Sequence, residues 1–461
     1  MENLSGVTWA CFRAGGNMKN PRALFTTAYR SDEPYDWVRF NTKCRIRLTQ
    51  PRVMCPGLRF IKENLPQIQI LEFPSQQEFG RVLRQGWDVV GFSFFTFETA
   101  EILRMADCAR KAGVRELWAG NYGALNPLIA CAFDKVMIGY AEAQIGEQFG
   151  ASAGELAPPA LIDNFGIVPL GAELIRTGWL STARGCPMKC TFCQTPSFAS
   201  RVVTLSLDSI ERALRYYKKN SVRLILVFDE DFGIAREHSR EVAVLLRKSG
   251  LPWVVGTRSD ILEGRFDEWY ESGMVGVNLG VESMDPDSLV DVRKALSIDQ
   301  TIRTMEKVNR HDCVMIGSYM IGFERDTVSS VTRNLRELRR LRPDFMKVFV
   351  LTPFPKTLLW DHVERQYGID CSDWSKFNAK HLVWNHPQLS EADAQALLSQ
   401  AYRLFNSEDH VLRFVSKIHR RLMERGGPAR THSFFLSGLR DKLHGGIFME
   451  HSVECETAYD A

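Results

Sequence analysis

Three cysteines crowd into the stretch STARGCPMKCTFCQTPSF, residues 181–198: Cys186, Cys190 and Cys193, spaced C-x3-C-x2-C. Thiolates are soft metal ligands, and three of them in one loop point to a metal centre. A structural zinc ion wants four ligands, commonly from two paired clusters. Here there is a single cluster; the next cysteine along the chain is Cys313 and the first histidine is His238. Zinc would therefore need a distant fourth ligand. An iron–sulfur cube fits the spacing better, because a short loop can supply several of its thiolates at once. Three thiolates on four irons leave one iron open for a substrate or cofactor. Gly185 and Pro187 suit a loop that wraps tightly, and Phe192, just before the third cysteine, can shield a cluster. The chain has 11 cysteines. Those outside the loop (Cys11, Cys44, Cys55, Cys108, Cys131, Cys313, Cys371 and Cys455) are scattered, and each reads as a small buried hydrophobe.

A loop of this kind needs rigid elements to present it. The 461 residues suggest more than one domain. From about residue 66 to 145, short apolar runs alternate with helical patterns: strands at 68–73, 88–95, 116–121 and 135–142, and a helix at 99–113 that stops at Gly113. This predicts a doubly wound, Rossmann-like parallel sheet over residues 1–150. Such sheets bind ligands at the carboxyl ends of their strands, which here carry Ser93, Gly120, Asn121, Tyr122, Gly139 and Glu142. Residues 151–174, rich in Gly, Ala and Pro at their start, read as a linker. A second strand–helix series follows, with strands at 178–185, 223–231, 252–258, 274–283, 314–323 and 345–354. Six such units predict a partial (β/α)6 barrel over residues 175–365, with chemistry at the carboxyl ends of its strands. The first of those strands runs straight into the cysteine loop. Residues 366–461 read as a mostly helical C-terminal region, with amphipathic helices at 391–405 and 411–425.

The cysteine loop resembles the signature of the radical S-adenosylmethionine (radical SAM) superfamily, which has this spacing and an aromatic before the last cysteine. Later strand ends resemble that family's motifs in order: FDEDF at 228–232, GTRSD at 256–260, GVES at 280–283, MIGFERDT at 320–327 and TPFPKT at 352–357. The resemblance covers roughly residues 175–365. It implies a 4Fe-4S cluster on Cys186, Cys190 and Cys193, with S-adenosyl-L-methionine on its open iron. It further implies contacts to that cofactor from Phe192 and from Asp229, Glu230 and Asp231, with Arg258 aimed at its carboxylate or ribose and Glu282 near its ribose. One electron, from a donor such as flavodoxin or ferredoxin, then yields a 5′-deoxyadenosyl radical that takes a hydrogen atom from an unactivated carbon. Two positions depart from the family's pattern. Glu324-Arg325 stand where Pro-Gly is usual and Lys356 where Gly is usual, which puts the substrate class in doubt.

A doubly wound domain ahead of such a barrel resembles the cobalamin-binding subclass, and this implies cobalamin as a further cofactor and methyl transfer as the reaction. The alternative is a radical SAM cyclase, oxidase or coupling enzyme whose cobalamin domain is degenerate. No histidine precedes His238, so this domain has no histidine to place beneath cobalt, and Tyr122 stands where the subclass commonly has one. Small molecules, peptides and lipids are all substrates in the subclass. The net charge of +3 gives no reason to expect nucleic acid. No apolar run of about 18 residues exists to span a membrane, and the N-terminus lacks a secretory pattern, so the expected location is the cytoplasm. The 411–425 helix pairs an apolar face (Val411, Phe414, Ile418, Leu422) with Arg413, Lys417, Arg420 and Arg421. It could lie on an anionic membrane, or pack on the barrel with its basic face in solvent; the second is the expectation.

Overall fold

A computed structural model describes residues 21–30, 47–49, 54–150, 154–168 and 172–424. The described residues divide into two compact units, the first built on 21–30 and 55–150, the second on 155–168, 172–372 and 376–424.

The first unit carries a five-stranded parallel sheet: β1 (Ala23–Thr26), β2 (Gln69–Leu71), β3 (Val89–Ser93), β4 (Glu116–Gly120) and β5 (Lys135–Val136), in the order β2-β1-β3-β4-β5. Alternate residues of β1 and β3 face opposite sides, as the two-residue period requires. Leu24, Val90 and Phe92 pack on one side with Phe79, Ile102 and Met105 from helices Gln76–Leu83 and Thr99–Lys111. Ala23, Phe25 and Val89 pack on the other with Leu58 and Ile145 from helices Pro56–Asn64 and Glu142–Gln148. Both faces are covered, so the unit is doubly wound. β1, which the sequence pattern did not single out, lies inside the sheet between β2 and β3. The strand expected over 135–142 is confined to Lys135–Val136; the chain turns at Gly139 (φ +94) and Glu142 opens a helix.

In the second unit β6 (Leu161–Val168) and β7 (Ala172–Leu180) form an antiparallel hairpin, and a short strand, Arg47–Thr49, pairs with β6. The expected linker at 151–174 is thus corrected over most of its length. Most of its Ala and Pro precede Leu161, and the strand from Leu161 to Ile167 pairs with β7. Residues 151–153 and 169–171 lie outside those described. β7 then leads a parallel series with β8 (Leu224–Val227), β9 (Trp253–Thr257), β10 (Met274–Glu282), β11 (Val314–Ile321) and β12 (Phe345–Val350), each beside the next. All six contribute to the lining of one cavity, so the sheet is curled into an open half-barrel. Helices Leu207–Lys219, Arg236–Ser249, Ser259–Glu271, Ile298–Arg310 and Val328–Arg340 follow successive strands.

An open barrel leaves edge groups on β12 that need partners. The helix Glu391–Phe405 and its following residue supply them: Tyr402 Oη donates to Val348 O at 2.8 Å, and the Asn406 amide both accepts from Met346 N (3.1 Å) and donates to Met346 O (2.7 Å). The last described helix, Glu408–Glu424, closes the cavity floor. Its Val411, Phe414, Val415 and Ile418 pack with Val314 and Phe345. Three of its cations are engaged by the same unit: Lys417 with Asp344 (2.7 Å), Arg420 with Asp312 (2.5 Å) and Arg421 with Tyr270 Oη (3.2 Å). Packing on the barrel therefore accounts for the helix; on its basic face Lys417 and Arg420 pair with barrel acids, while Arg413 and much of Arg420 stay exposed to solvent.

Candidate active site

The cavity encloses about 510 Å3, and the three cysteines stand at one lip of it with Asp229, Glu230, Asp231, Arg258 and Glu282 around them. The cysteine loop is bent at Gly185, whose φ is +90 and where a Cβ would lie 2.1 Å from Arg201 O. Only glycine fits there. The loop is then tied down by backbone bonds: Cys186 N donates to Ala199 O (3.0 Å), Thr191 N to Val292 O (3.0 Å) and Leu359 N to Thr191 O (2.9 Å). Gln194 and Ser197 side chains reach Pro355 O and Lys356 O. Phe192 packs among Val292, Met320, Leu351 and Trp384 while touching the cavity.

The acidic run after β8 divides its labour. Asp229 is spent on the scaffold, its two oxygens accepting from Thr182 N (2.6 Å) and Thr182 Oγ1 (2.5 Å). Burial pushes it up to about 6, against those bonds. Glu230 Oε2 accepts from Gly185 N at 2.9 Å and so anchors the cysteine loop. Asp231 accepts from Arg258 N (3.2 Å) and turns toward Arg258 and Lys294; burial pushes it up to about 6, while those two cations pull it down.

Arg258 is buried, and each of its three nitrogens donates. It pairs with Asp260 through Nε (2.9 Å) and Nη2 (3.0 Å), and donates to Lys294 O (3.0 Å) and Ala295 O (3.1 Å). The guanidinium therefore braces the 293–295 turn, where Arg293 and Ala295 both have positive φ. Lys294, absent from the sequence-based set, is delivered by that turn to Glu282: Nζ lies 2.7 Å from Oε1. Burial pulls Lys294 down, but Glu282 outweighs it and holds the ammonium above its ordinary value. Gly280 keeps room for the pair, since a Cβ there would meet Glu282 Oε1 at 2.4 Å. Burial pushes the Cys186 thiol up to about 11, with Asp231 adding to it; burial also raises Cys190, against the pull of Lys294 and Arg258.

Do these residues suit an iron–sulfur cluster? The three cysteines are unbridged and line one lip. Among the described residues no three His, Cys, Asp or Glu side chains converge on a single ion position, as mononuclear zinc would require. A cube needs no common ion position, because each iron takes its own thiolate. The donor set fits.

In the first unit Ser93 and Gly120 are register partners at the ends of β3 and β4. Ser93 Oγ lies 3.5 Å from Cys55 Sγ, the latter buried and pushed up to about 11. Asn121 turns the chain at φ +67 and accepts from Tyr122 N (2.9 Å). Tyr122 stacks on Phe95 (centroids 6.3 Å apart, 16° between planes), and Phe95 on Phe97 (6.0 Å, 3°). Phe95 and Phe97 stay 47% and 39% exposed, an aromatic ledge that sequence reading missed. Gly139 lies beyond β5 and joins no such contact.

Residues 180–353 match the family model of the radical SAM superfamily. The bacteriochlorophyllide d C-8(2)-methyltransferase of Chlorobaculum tepidum is 25% identical over 332 residues, 64% of this chain and 73% of that one. The anaerobic magnesium-protoporphyrin IX monomethyl ester cyclase of Rubrivivax gelatinosus is 26% identical over 232 residues, 48% and 41% of the two chains. This chain spans about half the length of most of the curated relatives it matches. The fold is shared with the radical SAM methyltransferase TsrM of Kitasatospora setae, solved with cobalamin and a 4Fe-4S cluster (TM-score 0.63, 12% identity, covering 85% of this chain and 90% of that one). With its cysteine lip and half-barrel, the stretch 180–353 is a radical SAM domain, and the chain shares its fold with TsrM.

Proposed function

We propose that the chain uses cobalamin to methylate an unactivated or sp2 carbon by radical SAM chemistry. Cys186, Cys190 and Cys193 would hold the 4Fe-4S cluster, and the Asp231–Lys294–Glu282 wall would seat S-adenosyl-L-methionine. When bound, cluster and S-adenosyl-L-methionine supply one-electron carbon–sulfur cleavage and hydrogen-atom abstraction. The protein's share is to orient and to keep water out. Arg258 fixes the turn that carries Lys294, Glu230 and Gly185 set the loop, and the Phe414–Ile418 face seals the floor. The observation that carries this reading is the convergence of the cysteine lip, Asp231, Glu282 and Lys294 on one cavity.

Cobalamin is supported by the Phe95–Phe97–Tyr122 ledge, an exposed apolar surface of the kind that a planar macrocycle covers. It lies at the carboxyl ends of the first unit's strands, where Ser93, Gly120 and Asn121 also stand, and it offers no histidine. The chain spans only part of most relatives, and these include a cyclase, so a non-methylating radical enzyme is the competing reading. The test is anaerobic purification with cobalamin supplied, then iron, sulfide, corrinoid and 5′-deoxyadenosine analysis of the wild type and Cys193→Ala. Corrinoid bound with the cluster, and 5′-deoxyadenosine lost in the variant while its fold is kept, is the expected result. A cluster without corrinoid would favour the cyclase-type reading. Unchanged 5′-deoxyadenosine in Cys193→Ala would sink both.

A further inference from the structure

The cysteine loop has two faces. Cys186, Met188, Cys190 and Phe192 line the cavity. The residues that alternate with them, Pro187 and Lys189, are exposed and take no part in that lining. Thr191 fastens this outer face to its neighbours: its N–H donates to Val292 O, and its carbonyl accepts from Leu359 N. Beside those two anchors stand Val290 and Leu358, apolar side chains that are 74% and 49% exposed. Arg293, next to Val292, is exposed as well, and so is Arg201, two residues past the Ala199 carbonyl that receives Cys186 N. The segments joined here, 174–207, 292–298 and 345–360, contain no carboxylate. Asp291, at their edge, is occupied by Arg325 at 2.8 Å. The outer face of the loop is thus a small apolar patch set among cations, and neither the fold nor the cavity makes use of it.

Radical chemistry at the cluster needs an electron from outside the protein. On the cavity side of the loop, S-adenosyl-L-methionine and substrate must find their room. A protein that carries the electron is left with the outer side, and it must come close, because electron transfer fades steeply with distance. Redox encounters between proteins are small, weak and steered by charge more than held by area. A few apolar side chains ringed by cations have that form. We propose that a small acidic one-electron carrier protein docks on the outer face of the cysteine loop. Its redox centre faces Val290, Thr191 and Leu358, and its carboxylates meet Lys189, Arg201 and Arg293. The carrier is oxidised by one electron and the cluster reduced by one; no group passes between the two proteins. The proposal rests on Cys186, Cys190 and Cys193 holding the cluster.

The probes are a flavodoxin and a 2Fe-2S ferredoxin, both acidic carriers, tethered to a sensor surface. The full chain, reconstituted with iron and sulfide, is passed over them at low and at high salt. Lys189→Glu/Arg201→Glu should slow association about tenfold and flatten its salt dependence. The control Lys219→Glu/Lys248→Glu changes the charge equally, at exposed positions near the ends of two barrel helices, and should bind as the wild type does. Dithionite, which needs no docking, should drive 5′-deoxyadenosine formation equally in all three proteins. Formation driven by the carrier should fall only in the first variant. Equal loss in both variants, undiminished binding by Lys189→Glu/Arg201→Glu, or failure of the wild type to bind either carrier overturns the proposal. If Lys189→Glu/Arg201→Glu does not retain iron, Leu358→Glu reads the same face: a carboxylate amid the patch should weaken carrier binding, and unchanged binding counts against the site. Binding needs no turnover. Loss of dithionite-driven cleavage in the wild type would tell against the cluster reading, whereas intact cleavage without carrier binding would tell against the docking face alone.

Discussion

Glu282 and Lys294 meet at 2.7 Å with side chains about one-tenth exposed, so each is the other's main compensation for lost water. Breaking such a pair on one side costs more than removing both members. Lys294→Met should lower stability by about 3 kcal/mol in urea unfolding followed by circular dichroism. The double variant Glu282→Gln/Lys294→Met should recover most of that; additive losses would refute the pairing. Lys347 makes a different prediction. Its amine lies at about 8 in the folded chain against an ordinary 10.5. Between those values the unfolded chain binds more protons than the folded one, so stability should rise with pH, by up to ~1.4 kcal/mol per unit. Lys347→Met should flatten the rise between pH 8 and 10. At this scale the cysteines, Asp231 and Glu282 were legible, because their spacing and strand-end positions are local. Lys294 was not, since a turn with two left-handed residues, braced from afar by Arg258, is what brings it to Glu282. The engagement of Arg258 was half visible, in Asp260 two residues on, but its bonds to Lys294 O and Ala295 O were not.

The cysteine loop depends on one backbone conformation more than on any side chain. Gly185→Ala forces a Cβ against Arg201 O at a φ that alanine resists, at a cost of about 2 kcal/mol or more. Iron retained after anaerobic reconstitution should fall sharply in this variant while its far-ultraviolet dichroism stays native. Full iron content would show that the loop can re-form another way. Most of the parallel strands of both units were legible from their apolar runs, which is how a strand buried on two faces reads. The β6–β7 hairpin was hidden because the Gly, Ala and Pro ahead of it dominate the local composition. β1 is a four-residue strand, too short for periodicity to register, and it is recognised only by its partners β2 and β3.

For the molecule as a whole, the decisive addition is the helix Glu408–Glu424. Phe414 is 8% exposed and packs near Phe345, so Phe414→Ala should cost about 3 kcal/mol, read as a lower unfolding midpoint. With its apolar face covered and Lys417, Arg420 and Arg421 engaged, the helix should not carry the protein onto anionic vesicles in a flotation assay. Co-flotation would mean that the helix leaves the barrel. Among the described residues no helix is long and apolar enough to cross a membrane. The amphipathic pattern was plain in the sequence; which surface would receive it was not, because that surface is assembled from β7 to β12. The order of synthesis gives this arrangement a further meaning. A ribosome that has delivered β12 has made every strand of the described residues and the cysteine loop, yet the floor is still open to water and awaits a segment more than fifty residues later. A nascent chain could therefore meet iron and sulfide before it has a sealed interior, and the closing helix would set the moment at which the chamber becomes dry.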